Sequence, residues 1–226
     1  MKYYLDITLL PDAETNLGFL WHKVYQQIHI MLVEHKISDK DSEIALSFPK
    51  YRHLGSSDKG SKVFPLGNKL RMFAQTYEKL DGLKIAQWLN RLDDYVHIKA
   101  IKEVPNDVIE YAYFKRKNFK SPAKLMKEID SRAAKIAAKN GFDLVKVKER
   151  LMVSIAKLEE RSTLPYINLR SLSSDKLLSA EDRKKFLLFI ECEIVTQPLN
   201  QIGLFTCHGL SRRSEEEQSA VPWFEG

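Results

Sequence analysis

The amino-terminal half of the chain alternates between the two-residue period of a strand and the 3.6-residue period of a helix. Tyr3 to Leu9 alternates in the first manner and is broken by Pro11, whereas Leu17 to Glu34 has apolar residues every three to four positions. The same reasoning predicts strands at residues 43–48 and 70–75, a helix at 76–92 and a strand at 95–104. This order, β-α-β-β-α-β, is typical of a ferredoxin-like domain and predicts one over residues 1–104.

Residues 105–226 are predicted to form a second domain of mixed composition. Two helical patterns, at 122–140 and 143–160, precede three strand-like runs that predict a small β-sheet: 166–172, 185–196 and 203–210. The predicted fold class is therefore α+β, with a ferredoxin-like amino-terminal domain and a carboxy-terminal α+β domain that contains a basic helix.

Positive charge is concentrated in one segment. The chain has a net charge of +6, and residues 115–150 contain 12 basic and 4 acidic side chains. Ser121 is a suitable N-cap, Pro122 suits a first helical turn, and Asn140-Gly141 is a typical left-handed exit. One face of this predicted helix would carry Lys120, Lys124, Lys127, Ser131, Lys135 and Lys139. Such a ridge of like charges favours a polyanionic partner, although an ordinary solvated lysine face remains the alternative.

Several functional classes have no support in the composition. Cys192 and Cys207 lack metal-ligand spacing and fit a reducing cytoplasm better than a disulfide scaffold. No run approaches the roughly 20 apolar residues of a membrane helix, so an intracellular protein without a membrane partner is expected. P-loop, zinc and dinucleotide-binding motifs are absent from the sequence, and no cofactor is expected.

A nuclease without a metal would have to use the 2′-hydroxyl of RNA as its nucleophile, with histidine as the natural base. Of six histidines, His29 is considered first because it lies beside the apolar stripe of the 17–34 helix. Ser171, Ser173 and Ser174 lie at the end of a predicted strand and could bind phosphate or the 2′-hydroxyl. A half-buried structural histidine and an ordinary polar strand exit remain the alternatives.

Short motifs in a specific order give the chain a resemblance to a known family. They are Tyr4–Ile7, Ile28–Val33, Leu46–Pro49, Arg116–Ser121, Leu169–Ser173, Phe186–Ile190, Phe205–Ser211 and Val221–Phe224. Over nearly its full length the chain resembles the CRISPR repeat endoribonuclease of subtype I-F systems. The resemblance implies that precursor CRISPR RNA is cut at the 3′ base of each repeat hairpin, leaving a cyclic phosphate and a 5′-hydroxyl.

The resemblance also implies roles for individual residues. His29 would be the general base, Ser171 would orient the 2′-hydroxyl, and Ser173 and Ser174 would hold the phosphate. Phe186 would stack on the terminal base pair, and Arg116 with Asn118 would read base edges. Phosphate contacts would come from the basic helix through Lys120, Lys124, Lys127, Ser131, Arg132, Lys135 and Lys139. The expected partners are the repeat hairpin, which stays bound after cleavage, and other subunits of the type I-F surveillance complex, with the isolated protein a monomer.

Three positions depart from the family pattern. The basic helix has mostly lysine where the family has arginine, and it is interrupted by Glu128 and Asp130. Asn118 stands where a glutamine is usual. His208 stands where a tyrosine packs against the catalytic histidine, so it is either structural or a second acid or base.

Two other functions remain compatible with the sequence. One is a non-catalytic subunit that binds hairpin RNA and caps the guide RNA in the surveillance complex. The other is a ferredoxin-like module for protein interactions, which predicts no affinity for a hairpin.

Overall fold

The computed structural model describes residues 1–52, 64–118, 122–158, 164–171, 185–198 and 203–225, with the side chains of 122–124 and 156–158 outside the description. The chain forms two compact units, of which the first comprises Met1–Lys117 with Leu164–Gly226 and the second Asn118–Thr163. The predicted α+β class is confirmed. The division into domains at residues 1–104 and 105–226 stays a prediction.

The first sheet consists of five strands from the amino-terminal half: β1 Tyr3–Leu9, β2 Ala45–Ser47, β3 Lys69–Ala74, β4 Val96–Ile98 and β5 Lys102–Glu103. Its order is β2-β3-β1-β4, and β5 also pairs with β1. All of these neighbouring pairs are antiparallel. The order is compatible with a ferredoxin-like domain, which stays a prediction.

Helix α1 has the predicted bounds, Leu17–Glu34. It begins where the side chain of Asn16 accepts a hydrogen bond from the backbone N–H of Phe19. The predicted helix at 76–92 is wrong as a single element, because the chain forms α2 Tyr77–Asp81, α3 Ile85–Trp88 and a 3-10 helix Asn90–Tyr95. The break contains Lys84 with φ 48°, a left-handed conformation that ends one helix before the next begins.

The second sheet contains β6 Glu110–Lys117, β7 Tyr166–Arg170, β8 Lys185–Val195 and β9 Val221–Trp223, in the order β7-β8-β6-β9. Strands β6 and β9 were not predicted from the sequence. The predicted strand at 203–210 is wrong: Phe205 makes an isolated bridge to Ser42, and the chain then turns. The turn is closed by a 2.8 Å hydrogen bond from the Gly209 N–H to the Thr206 carbonyl oxygen.

A buried ion pair joins the first sheet to the end of the chain. Arg71 donates to both carboxylate oxygens of Asp6, at 2.6 and 3.0 Å, and to the carbonyl oxygen of Phe224 at 2.8 Å. Because a buried charge is tolerated only when it is paired and hydrogen-bonded, this arrangement holds the segment after β9 against β1 and β3.

The second unit consists of α4 Pro122–Lys127, α5 Ile129–Asn140 and α6 Leu144–Leu158. The predicted single helix at 122–140 is thus divided at Glu128. Its small core contains Leu125, Ile129 and Ile155. The predicted exit is confirmed, since Gly141 has φ 66° and its N–H donates to Ala137. No helix in the described part of the chain combines the length and the apolar character that crossing a bilayer requires.

Candidate active site

A cavity of about 420 Å³ in the first unit brings together five of the residues singled out from the sequence. Its lining includes His29, Arg116, Ser171, Phe186, Cys207 and His208. These side chains come from α1, β6, the end of β7, the start of β8 and the turn at 206–209. Five segments that are far apart in the sequence therefore contribute to one site.

Hydrogen bonds between α1 and the end of β7 determine where Ser171 lies. The Arg170 N–H donates to Oε1 of Gln26 at 2.8 Å, and Nδ1 of His22 lies 2.5 Å from the carbonyl oxygen of Asn168. Gln26 and His29 are three residues apart, so they share one side of the helix. This spacing aligns the strand residue that precedes Ser171 with the helical turn that carries His29.

His29 is 6% exposed, and its Nδ1 lies 3.0 Å from the carbonyl oxygen of Cys207. A carbonyl oxygen can only accept a hydrogen bond, so Nδ1 carries the proton and Nε2 keeps its lone pair. Burial lowers the pKa of His29, the hydrogen bond to Cys207 partly opposes that effect, and the charge of Arg116 lowers the pKa further. The imidazole is therefore neutral at pH 7 and able to accept a proton.

His208 stacks on His29 with ring centroids 4.3 Å apart and planes 20° apart. Its pKa is lowered to about 3, first by burial and then by the charges of His29 and Arg116. In the described part of the chain its Nε2 is buried without a hydrogen-bond partner. The backbone is also held, because the Tyr25 hydroxyl donates to the carbonyl oxygen of His208 at 2.8 Å.

The turn that presents Cys207 and His208 depends on Gly209. This residue has φ 69°, which favours glycine, and an added Cβ would lie 2.4 Å from Cγ of Leu46. The Gly209 carbonyl oxygen accepts a 2.8 Å hydrogen bond from the Leu46 N–H. The turn is thereby packed tightly against β2, which places the two imidazole rings in contact.

Arg116 and Phe186 form another part of the lining. The Arg116 guanidinium carbon lies 5.1 Å from the centroid of the Phe186 ring. Phe186 in turn meets the His208 ring nearly edge-on, with centroids 6.3 Å apart and planes 78° apart. Burial lowers the pKa of Arg116, and its Nε is buried with no hydrogen-bond partner among the described residues. Such an unsatisfied donor, beside an aromatic ring, is suited to a ligand with acceptor atoms.

The other predicted RNA-binding residues that the structure describes belong to the second unit. Each of the following is exposed: Asn118, Lys127, Ser131, Arg132, Lys135 and Lys139. The acidic interruption at Asp130 is offset within the unit, because Lys148 pairs with its carboxylate at 2.5 Å. The residues Lys120, Ser173 and Ser174 and the side chain of Lys124 lie outside the described residues.

Three groups that hold His29, His208 and the residue before Ser171 in place were not predicted from the sequence. They are the Cys207 carbonyl, the amide of Gln26 and the hydroxyl of Tyr25. None has a sequence signal of its own. A backbone carbonyl is present at every residue, and the partners of Gln26 and Tyr25 are far away in the sequence. The motif Phe205–Ser211 did include the turn, but its pattern was interpreted as a strand.

Comparison with known proteins gives consistent matches along the chain. The family model described as "CRISPR-associated protein (Cas_Csy4)" matches residues 4–224. A relative from Escherichia coli (strain UTI89 / UPEC), named CRISPR-associated endonuclease Cas6/Csy4, is 28% identical over 227 residues, covering 99% of this chain and 100% of the relative. A relative of the same name from Pseudomonas aeruginosa (strain UCBPP-PA14) is 28% identical over 225 residues, with the same coverage.

Proposed function

Because the chain belongs to the Cas_Csy4 family of CRISPR-associated proteins, we propose that it is an endoribonuclease that processes CRISPR repeat RNA. In this proposal it binds the stem-loop of the repeat and cuts precursor CRISPR RNA at the 3′ base of the hairpin. The observation that carries the proposal is that one cavity is lined by both His29 and Ser171, with Arg116 and Phe186 beside them. The relatives' printed name, an endonuclease, supports the same reaction class.

The proposed reaction is a transesterification that consumes no water. Nε2 of His29 removes the proton from a ribose 2′-hydroxyl, and Ser171 orients that hydroxyl. The 2′-oxygen then forms a bond to the adjacent phosphorus while the bond from phosphorus to the 5′-oxygen breaks. The products are a 2′,3′-cyclic phosphate and a 5′-oxygen that takes up a proton from solvent to become a hydroxyl, while His29 returns its proton to solvent. The Nδ1–H bond to Cys207 supports this role, since it keeps the lone pair on Nε2.

The lowered pKa of His29 determines the expected pH dependence of cleavage. A base must be unprotonated to act, so the rate should rise with pH through the pKa of His29 and then become constant. Since burial and Arg116 lower that pKa below its ordinary value of about 6.5, the rise should end by neutral pH. Single-turnover rates measured across the acid range would test this expectation.

His208 is proposed as a positioning residue for His29. A general acid would have to be protonated before it donates, and a pKa of about 3 keeps His208 neutral at pH 7. Its stacked ring restricts rotation of the His29 imidazole, and this favours the structural alternative over a second acid or base. The serines Ser173 and Ser174 retain their proposed contact with the phosphate.

Recognition of the hairpin is proposed to use two kinds of contact. Phe186, which is half-buried, stacks on the terminal base pair. Arg116 and Asn118 read base edges at the bottom of the stem, and the exposed cations of α4 and α5 bind phosphates. The phosphate contacts survive the cut, so the product stays bound and the protein remains with other subunits of a type I-F surveillance complex.

The decisive experiment is incubation of the purified protein with labelled repeat RNA in excess EDTA. We expect cleavage with a cyclic phosphate end, since no step of the proposed reaction uses a metal. Binding without cleavage, with or without added divalent metal, would instead favour the non-catalytic hairpin-binding subunit. Absence of binding at low salt would favour the protein-interaction module and contradict both RNA functions.

A further inference from the structure

A second cavity of about 460 Å³ lies in the first unit, between α1, α3 and the 3-10 helix. The residues that line it differ from those of the active site. Two aromatic side chains, Phe19 and Trp88, meet the amides of Gln27 and Gln87 and the cations Lys23 and Arg91. None of the described side chains that line this cavity is acidic. A lining with two cations and no acidic side chain among its described residues favours an anionic ligand.

The aromatic side chains of this cavity are accessible. Phe19 is 49% exposed although it is a large apolar side chain, and Trp88 is half-buried. Nζ of Lys23 lies 5.3 Å from the centroid of the Phe19 ring. A cation beside an accessible aromatic face suits a nucleotide, because the ring can stack on a base while the cation binds the adjoining phosphate.

The amide side chains add a further feature that suits a nucleobase. Gln27 and Gln87 each present donors and an acceptor, which can pair with the edge of an unpaired base. A base inside a duplex cannot enter a cavity of this size without leaving its stack, whereas a single-stranded base is free to turn outward. The chemistry of the lining therefore favours single-stranded RNA over the hairpin stem.

The position of the cavity relates it to the active site through one rigid element. Phe19, Lys23 and Gln27 follow one another at four-residue spacing along α1, next to the face on which His22, Gln26 and His29 lie. Phe19 and His29 are ten residues apart, or roughly 15 Å along the helix axis. A few single-stranded nucleotides adjoining the cut site can cover that distance.

We propose that this cavity binds an unpaired nucleotide of the RNA that flanks the repeat hairpin. The ligand class is a single-stranded ribonucleotide, stacked on Phe19 and contacted at its phosphate by Lys23. Its source is the segment either on the 5′ side or on the 3′ side of the stem. The inference rests on the proposed function, because it requires that the hairpin be bound at the active site.

The test compares binding of three forms of the repeat hairpin, each with a 2′-deoxy group at the cut site to prevent cleavage. One form is the stem-loop alone, one has a short single-stranded extension at its 5′ end, and one has it at its 3′ end. Wild-type protein should bind one extended form more tightly than the stem-loop alone. Phe19→Ala should weaken binding of that form by about tenfold and leave the stem-loop alone unaffected.

Matched variants distinguish a loss of base stacking from a general loss of RNA binding. Phe19→Trp should restore the preference for the extended form, since it keeps an aromatic face, and Lys23→Ala should reduce the preference and its salt dependence. Tyr77→Ala is the control, because Tyr77 is 47% exposed and does not line this cavity. Tyr77→Ala should leave the affinity for the stem-loop and for the extended form unchanged.

Each remaining outcome contradicts the inference. Wild-type protein that binds the stem-loop but gains nothing from either extension would overturn the inference and leave the proposed function intact. Equal losses for extended and unextended forms in Phe19→Ala would also overturn it, since the effect would then concern the stem or the fold. Wild-type protein that does not bind the stem-loop would overturn the proposed function and this inference with it.

Discussion

The two units of this protein differ in how far the basic groups that the proposed function uses are buried. In the first unit, burial lowers the pKa values of His29, His208 and Arg116, and two of these groups have a buried nitrogen without a partner among the described residues. In the second unit, the basic residues of α4 and α5 that are described lie exposed over a small core. Water solvates those ammonium and guanidinium groups.

In the proposed function, this difference corresponds to two separate tasks, the chemistry of cleavage and the binding of phosphates. A general base at pH 7 has to be neutral and held in one orientation. Burial and Arg116 favour the neutral form of His29, and the hydrogen bond to Cys207 orients its ring. Phosphate binding needs permanent charge and tolerates a flexible side chain, so an exposed lysine suffices. In the proposed function, the first unit accordingly provides the chemistry and the second provides most of the affinity.

The largest expected effect is on cleavage by the first unit. We expect His29→Ala to lower the single-turnover cleavage rate by about 10²- to 10⁴-fold, the usual contribution of a general base, with hairpin binding nearly unchanged. The control is His35→Ala, since His35 is an exposed residue that follows α1. Undiminished cutting by His29→Ala would remove His29 from the mechanism.

The next prediction concerns packing at one glycine in each unit. Gly209 and Gly141 both have left-handed φ angles, but a Cβ at Gly209 would collide with Leu46, whereas nothing lies within 4 Å of a Cβ at Gly141. Gly141→Ala should therefore lower the free energy of unfolding by about 1–2 kcal/mol, the cost of the left-handed conformation. Gly209→Ala should lower it by roughly 1–3 kcal/mol more because of overpacking.

Denaturant unfolding of both variants measures these differences. Cleavage should also fall in Gly209→Ala, because the turn carries both His208 and the carbonyl group that orients His29. Equal destabilisation by the two substitutions would contradict the close packing of the turn.

Removing positive charge from the second unit should weaken hairpin binding without changing the cleavage rate of the bound RNA. Replacing Lys127, Lys135 and Lys139 together by alanine should lower hairpin affinity by roughly 10- to 100-fold at physiological salt. The slope of log affinity against log salt should fall by about 3, one for each phosphate contact. The charge-matched control replaces Lys2, Lys99 and Lys102, which are exposed in the first unit.

Filter binding at several salt concentrations gives both quantities. The cleavage rate of the bound RNA should remain that of the wild type. If the two triple variants lose affinity equally, the second unit has no special part in binding.

The last prediction concerns the pH dependence of stability due to His208. Its pKa is about 3 in the folded protein and about 6.5 when unfolded, so between these values the unfolded chain binds the extra proton. Stability should therefore fall as the pH decreases below about 6.5, by at most about 1.4 kcal/mol per pH unit from this group. His208→Phe keeps a stacked ring and should remove this contribution. Denaturant unfolding at pH 7, 6 and 5 measures it, and parallel curves for the two proteins would contradict it.

Local patterns predicted the elements whose stability is decided within a few residues. The bounds of β1 and α1 and the left-handed exit at Gly141 all agree with the sequence reasoning. The incorrect predictions occur where residues far away in the sequence determine the secondary structure. Residues of β6 alternate between two faces, which is a strand signal. The basic end of β6 was assigned to the positively charged segment, and no strand was predicted there. Its strand character depends on pairing with β8 and β9.

The residues of the candidate site could be predicted from the sequence, but the hydrogen bonds that position them could not. His29, Arg116, Ser171, Phe186 and His208 were all named from motifs, and they line one cavity. Their roles stay predictions. The spacing within α1 correctly placed His29 beside the core stripe, yet it could not indicate that a carbonyl group 178 residues away would orient the ring.

By itself, the sequence determined where positive charge accumulates, which helix carries the candidate base and which family the motifs resemble, because each of these is written in residue type and local period. Only the tertiary structure decided that Nδ1 of His29 bonds to Cys207, that His208 stacks on it and that both are desolvated beside Arg116. The reason is physical: proton position and pKa depend on burial and on neighbours in space, and these exist only after distant segments pack together.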